Sequence, residues 1–214
     1  AELRARAALA ERGIEPYASA VGALLADAER AMAREPRPEQ PLEISGTGGA
    51  FVDDSADAYA LSLAYVVSGE RRYAEHAGGI LDAWAAIATS TVGTCVDSGA
   101  CLTSLAMSRT APAFVFAADL IGPAGKFDEP RFRSWLHDVI LPAASERTNN
   151  WGDAGVFMRL VVTGYLRDHQ GFSEAARFWR SQMDLVAADG HIPEEPRRAS
   201  AGLLYTQGVL TCKV

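Results

Sequence analysis

Apolar residues recur at helical spacing along nearly the whole chain, in stretches of roughly 10–20 residues closed by glycine or proline. Tyr73, Ala77, Ile80, Trp84 and Ile87 form one stripe over 70–89, and Ala58, Leu61 and Tyr65 form another over 56–68. Only Ser68-Gly69 separates the two, so the helices must lie antiparallel as an αα-hairpin, with Trp84 and the tyrosines in the core. The same spacing predicts helices over 2–12, 15–34, 99–121, 129–141, 151–168 and 172–188, and a last one from about Ala199 onward. Pro112 should break or bend the helix over 99–121, and its second half, Phe114–Ile121, is apolar on nearly all sides and should be buried. The stripe Phe132, Trp135, Leu136 and Val139 points inward and Pro142 stops its helix; Trp151, Gly155, Met158, Val162 and Tyr165 share one face of 151–168. Phe172, Ala176, Trp179, Met183 and Val186 share a face of 172–188. About eight or nine helices of middling length, wound in pairs, suit an all-α toroid of helix hairpins better than a four-helix bundle. The expectation is a single α/α-toroid domain over 1–214, short or incomplete, or a piece of a longer protein.

Composition narrows the partners. The chain carries 27 acidic against 20 basic residues, a net charge of −7, which removes the basic surface that nucleic-acid binding needs. Those basic residues still suffice for a locally cationic cleft that grips an anionic polymer. No apolar run reaches the roughly 18 residues of a membrane span, and no signal peptide opens the chain. Cys95 and Cys101 flank a short glycine-containing loop and either close a small disulfide in an oxidising compartment or remain free thiols, while Cys212 leaves the count odd. Without a CxxC or a Cys/His cluster there is no zinc signal, and Gly46-Thr47-Gly48-Gly49 lacks the lysine and hydroxyl of a phosphate-binding loop. No metal and no cofactor is expected.

Residues 35–55 hold Pro36, Pro38, Pro41, Gly46, Gly48 and Gly49 and do not read as regular helix. Such a length is unusual for an idle connection, so the segment is either a lid or cleft wall, or a disordered surface loop.

Chemistry concentrates in the last third. Asn149-Asn150-Trp151 opens a helix, and Asn149 and Asn150 form an N-cap pair that also offers amide donors. Asp189-Gly190 makes a turn through His191 to Arg197-Arg198, and Tyr205 follows Arg198 by seven residues, two helical turns along one face. An amide, a guanidinium and a phenol are the groups needed to hold a sugar carboxylate and move a proton beside it. His76, His137 and His169 read as surface residues, whereas His191 precedes the arginines and is a substitute base.

These blocks, together with the 56–65 and 73–84 segments and Phe116–Ile121, resemble the alginate lyase superfamily of α/α-toroid polysaccharide lyases over most of residues 56–205. The resemblance implies that Asn150, Arg198 and Tyr205 line a catalytic cleft, with Asn149, Trp151, His191 and Arg197 on the substrate. In that family a histidine follows the asparagine pair; here Trp151 stands in its place, and an indole has only an N–H donor and cannot act as a base. The implied activity is metal-independent β-elimination on a uronic-acid polymer such as alginate or glucuronan, by a secreted or periplasmic protein. Two other readings are a carbohydrate-binding toroid without catalysis, to which an indole for stacking is suited, and a glycoside hydrolase on a related scaffold, for which no carboxylate pair is legible.

Overall fold

The computed structural model describes residues 2–44, 48–94, 101–147, 149–188, Ile192, 200–203 and Gln207. Among them are eight α-helices: α1 (Glu2–Glu11), α2 (Tyr17–Met32), α3 (Ala50–Ser68), α4 (Arg71–Ile87), α5 (Leu102–Ile121), α6 (Glu129–Trp135), α7 (Asn150–Leu166) and α8 (His169–Met183). The predicted hairpin forms as expected. Gly69 ends α3 in the left-handed conformation at φ 75°, its N–H donating to the Tyr65 carbonyl, and α4 starts two residues later.

Odd-numbered and even-numbered helices run in opposite directions. Gly78 in α4 meets the Gly125 carbonyl beyond the end of α5, while the Thr103 N–H at the start of α5 bonds Gly93 beyond the end of α4. α5 is thus antiparallel to α4 and parallel to α3. The Ser145 N–H donates to Ser108 Oγ near the start of α5, and α7 begins beside it. Ala118 and Gly164 then line the same cavity at the far ends, so α5 and α7 are parallel too. This is the all-α toroid expected from the helix pairs: α3, α5 and α7 form one layer, and α4, α6 and α8 return outside it.

The core between the layers is aromatic. Phe51 packs edge-on against Trp84 at 5.1 Å and near Phe114 at 5.2 Å, and Phe114 meets Trp135 at 5.8 Å. Both indoles bury a donor, and each finds an acceptor: Trp84 Nε1 donates to Asp54 Oδ2 at 2.9 Å, and Trp135 Nε1 to the Ala88 carbonyl at 3.0 Å.

Several sequence expectations need correction. α5 is not broken at Pro112, one of the two outcomes expected there, and runs through it as a single helix. The C-terminal part of α5 is not buried all round, since Phe116 is 36% exposed and Asp119 is also exposed. Ile87 lies off the buried stripe of α4. On α8 the buried residues are Ala175 and Gln182, while Phe172 and Met183 are exposed; the predicted stripe was rotated. The helix expected over 129–141 is α-helical only to Trp135, widens into a π turn over Leu136–Ile140 and ends as a 3-10 turn over Leu141–Ala143. Asp168, expected as the last residue of the helix over 151–168, is instead the N-cap of α8, its Oδ1 accepting from the Gly171 N–H at 3.0 Å. The last predicted helix falls mainly outside the described residues.

Up to α3, the described part of residues 35–55 is an irregular segment, largely exposed but pinned along its length. Helix α3 already begins at Ala50. Before it, Gln40 Oε1 accepts from the Thr89 and Ser90 N–H groups, and Leu42 exchanges backbone bonds with Ser90 and Val92. Leu42 and Ile44 are buried, and the Ile44 N–H donates to Thr103 Oγ1 at 3.0 Å. The Arg37 N–H reaches Asp54 Oδ2 at 2.7 Å, on the carboxylate that holds Trp84. The segment is a wall pinned to the starts of α3 and α5.

Candidate active site at the start of α7

The described parts of the connections that lead into α3, α5 and α7, residues 35–44, 88–94 and 144–147, lie at the end where these helices begin, and Asn149-Asn150-Trp151 lies there. Asn149 is the N-cap of α7: its extended backbone (φ −134°) lets Oδ1 accept from the Trp151 N–H at 3.0 Å. Its carbonyl takes the Gly152 and Asp153 N–H groups at 2.8 and 3.1 Å. The cap role expected of Asn149 is therefore present. Asn150, the first helical residue, is 4% exposed, and Asp153 in the same turn is 2% exposed. A carboxylate in the first turn suits the positive end of the helix dipole.

The chain enters α7 unusually close to it. A Cβ on Gly152 would collide with the Arg147 carbonyl, and one on Gly155 with the Ser145 carbonyl. Two glycines three residues apart thus open one face of the first turns, and the Ser145–Arg147 backbone lies directly on it. That contact aims Arg147: its guanidinium carbon sits 4.3 Å from the centre of the Trp151 ring, a cation–π pair. Arg159, two turns into the helix, pairs with Glu146 of the same strand.

Arg147 was not singled out by sequence reasoning. The legible signal was the Gly-x-x-Gly spacing at 152 and 155, which marks a close crossing of backbone over the helix. The pair also bears on the part expected of Trp151, because one face of its half-buried indole carries the Arg147 guanidinium.

The structure places Asn149, Asn150 and Trp151 together. His191, Arg197, Arg198 and Tyr205 lie outside the described residues, as do Cys95 and Cys212. Cys101 is disulfide-bonded, which settles the choice between thiol and disulfide for that residue. The other three histidines sit on other elements: His76 on α4 against the Arg34 carbonyl at 3.2 Å, His137 on the π turn against Asp138 at 2.7 Å, and His169 exposed on α8.

Farther along the helices an aromatic row crosses the layer formed by α3, α5 and α7. Tyr59, Phe116 and Phe157 each come from a different one of these helices, with ring centroids 6.0 and 6.3 Å apart in succession. Arg109, seven residues before Phe116 and exposed, shares that face of α5. The aromatic row was not anticipated, because period alone cannot separate an inner-layer face from core. Among the described residues no group of three or more His, Cys, Asp or Glu could hold a metal ion, and no helix is long and apolar enough to cross a membrane.

Comparison with known proteins agrees with this architecture. A crystal structure of an alginate lyase from Bacteroides ovatus superposes with a TM-score of 0.65 at 17% identity, covering 97% of this chain and 72% of that one. At that identity the match speaks for the fold. No curated protein matches the sequence. A family model described as alginate lyase matches residues 26–208, from within α2 to beyond the last described helix. The chain belongs to the alginate lyase family and is a polysaccharide lyase.

Proposed function

We propose that this lyase cleaves a uronic-acid polymer, alginate- or glucuronan-like, by β-elimination at the end of the toroid where α7 begins. The observation that carries the reading is the buried Asn150 amide at the first turn of α7, beside a Trp151 whose ring carries the Arg147 cation. The proton on C5 of a uronate is too weakly acidic to remove while the adjacent carboxylate is ionised and free. Donors fixed on that carboxylate stabilise the enolate-like transition state. Asn150 supplies an amide, Arg198 a two-pronged guanidinium, and Arg147 a further positive charge nearby. A base takes the C5 proton, the C4–C5 double bond forms, the C4–O4 bond breaks, and O4 leaves with a proton.

Because Trp151 cannot accept a proton, proton transfer falls to Tyr205, which protonates O4 and, with its phenol acidified by a neighbouring cation, also serves as base. Arg197, Asn149 and His191 are assigned to the substrate, with His191 the second choice for base. A disulfide at Cys101 suits a secreted or periplasmic protein acting on an external polymer.

The test follows formation of the unsaturated uronide by its ultraviolet absorbance. Tyr205→Phe and Arg198→Ala should each lose at least about 100-fold in kcat, the scale of one removed acid–base or charge-stabilising group. Wild-type rates in both variants would overturn the assignment of roles. Reducing ends released without a new double bond would replace the lyase by a hydrolase, and oligouronide binding without turnover would leave a binding protein.

A further inference from the structure

At the end of the toroid opposite Asn150 lies a cavity of about 670 Å³, where α5 and α7 finish and α6 begins. Fifteen residues of α7 separate Asn150 from Tyr165, about 22 Å at the helical rise, so this cavity is remote from the candidate active site. Its size is that of a pocket for a small organic ligand.

The lining combines charges of both signs with a phenol: Asp119, Lys126, Glu129, Arg133, Tyr165 and Arg167. Some of this polarity serves the fold. Arg133 donates to the Tyr165 and Leu166 carbonyls at 2.9 and 2.6 Å, neutralising the negative end of α7, and its guanidinium lies 5.5 Å from the Tyr165 ring centre. Lys126 pairs with Glu75 at 2.6 Å. Asp119 and Arg167 are different, for neither side chain has a hydrogen bond or ion pair among the described residues.

Backbone geometry singles out the same place. Of the three described non-glycine residues with positive φ, two line this cavity: Lys126 at 53° and Arg167 at 58°. Arg167 occupies the left-handed cap of α7, where glycine is the usual residue, and a long cation there costs on the order of 1 kcal/mol. Among the described residues no hydrogen bond or ion pair of the Arg167 side chain accounts for that choice.

We propose that this cavity is a second, non-catalytic saccharide site that takes a carboxylate-bearing sugar. Arg167 faces the sugar carboxylate, and Asp119 and Glu129 accept from its hydroxyls. Tyr165 offers a hydroxyl that remains protonated, since burial pushes its pKa up to about 12. The mixed lining discriminates between anions. Inorganic phosphate brings at most two hydroxyls and up to two negative charges that the two carboxylates repel, whereas a sugar carboxylate brings one charge for Arg167 and several hydroxyls for Asp119 and Glu129. The choice of ligand rests on the proposed polyuronate activity; the existence of the site does not.

Isotope-labelled protein titrated with a uronate trisaccharide, a neutral trisaccharide and inorganic phosphate tests the site by amide chemical shifts. Amides at 119–129 and 164–167 should shift with the uronate, as a set separable by its own binding curve from any shifts at 149–151. Arg167→Asn, which keeps a residue tolerant of positive φ, should weaken that curve about tenfold, the loss of one charge-assisted contact. Asp119→Asn, at an exposed position, is the second variant and should weaken it in the same sense. Free glucuronate in a further arm separates a single-sugar site from one that needs a chain end, and either result supports the site. Absence of shifts at this end, binding unchanged in both variants, or phosphate shifting the same amides as strongly would overturn it. Shifts here with no lyase turnover would reject the proposed activity and keep the site; turnover without them would do the reverse.

Discussion

The guanidinium of Arg147 stands over the indole of Trp151 at 4.3 Å, at the start of α7 next to a buried Asn150. An arginine three residues upstream of Asn150 is thereby held in place by the residue that replaces the family's histidine. An indole has no basic nitrogen, so the role we propose for Trp151 is to position charge, not to act as acid or base. A cation–π contact of about 0.5–2 kcal/mol predicts that Trp151→Ala lowers kcat/KM roughly 3- to 30-fold, and that Trp151→Phe, which keeps a ring face, loses less. Initial rates of unsaturated-product formation read the difference. Equal rates for the alanine and phenylalanine variants would reduce the pair to packing.

The close entry into α7 makes a second prediction. Gly152→Ala and Gly155→Ala each drive a Cβ into a backbone carbonyl of the 145–147 strand, which cannot swing aside as a side chain can. Each should destabilise the protein by roughly 2–4 kcal/mol, the scale of a steric clash in a packed interior. Gly79 is the control. It sits inside α4, exposed, with nothing within 4 Å of a Cβ, so Gly79→Ala should stabilise by about 0.5–1 kcal/mol. Denaturant titrations of the three variants decide between these opposite signs.

The hairpin of α3 and α4 was readable because its stripe is strongly periodic and ends in glycine, and Asn149 was readable as a cap because capping is local chemistry. The rotated face of α8 shows the limit. Phe172 and Met183 advertise a core face, but the buried residues of α8 are Ala175 and Gln182, and the helix comes close to α7 at Gly171, against Thr163. The aromatic row of Tyr59, Phe116 and Phe157 was hidden for the converse reason. In a toroid the inner helices have two apolar sides, one in the core and one facing inward, and periodicity cannot say which is which. For 35–44 the sequence left a wall as one alternative among several, because the anchors that decide it, Gln40 on Thr89 and Ser90 and the Ile44 N–H on Thr103, join residues about fifty positions apart.

Asp54 ties that wall to the core. It is 4% exposed and accepts from Trp84 Nε1 at 2.9 Å and from the Arg37 N–H at 2.7 Å. Asp54→Ala strands a buried indole donor and frees the backbone at Arg37. The expected cost is about 2–4 kcal/mol, with the 35–44 amides exchanging faster than in the wild type. Hydrogen exchange separates this from a general loss of stability. Protection lost equally along α7 and at 35–44 would count against Asp54 as the anchor.

Two tyrosines predict the alkaline limit of the fold. Burial pushes the Tyr73 phenol up to about 12, helped by its bond to Glu29 Oε1 at 2.6 Å, and burial likewise raises Tyr165 to about 12. Glu29 is itself held below the usual carboxylate range, first by Arg72 and then by the Tyr73 hydroxyl, so an anion already faces the phenol. In the unfolded chain a tyrosine loses its proton near pH 10. Between about pH 10 and 12 the unfolded state therefore holds fewer protons than the folded one, and stability falls as pH rises through that window; below it the contribution is fully present. Ultraviolet titration of the folded protein should show a late phenolate phase about pH 12 that shrinks in Tyr73→Phe and again in Tyr73→Phe/Tyr165→Phe. The midpoint of urea unfolding should fall less steeply over the same interval in the double variant. A phenolate titration completed near pH 10, with the protein still folded, would refute the burial of both hydroxyls.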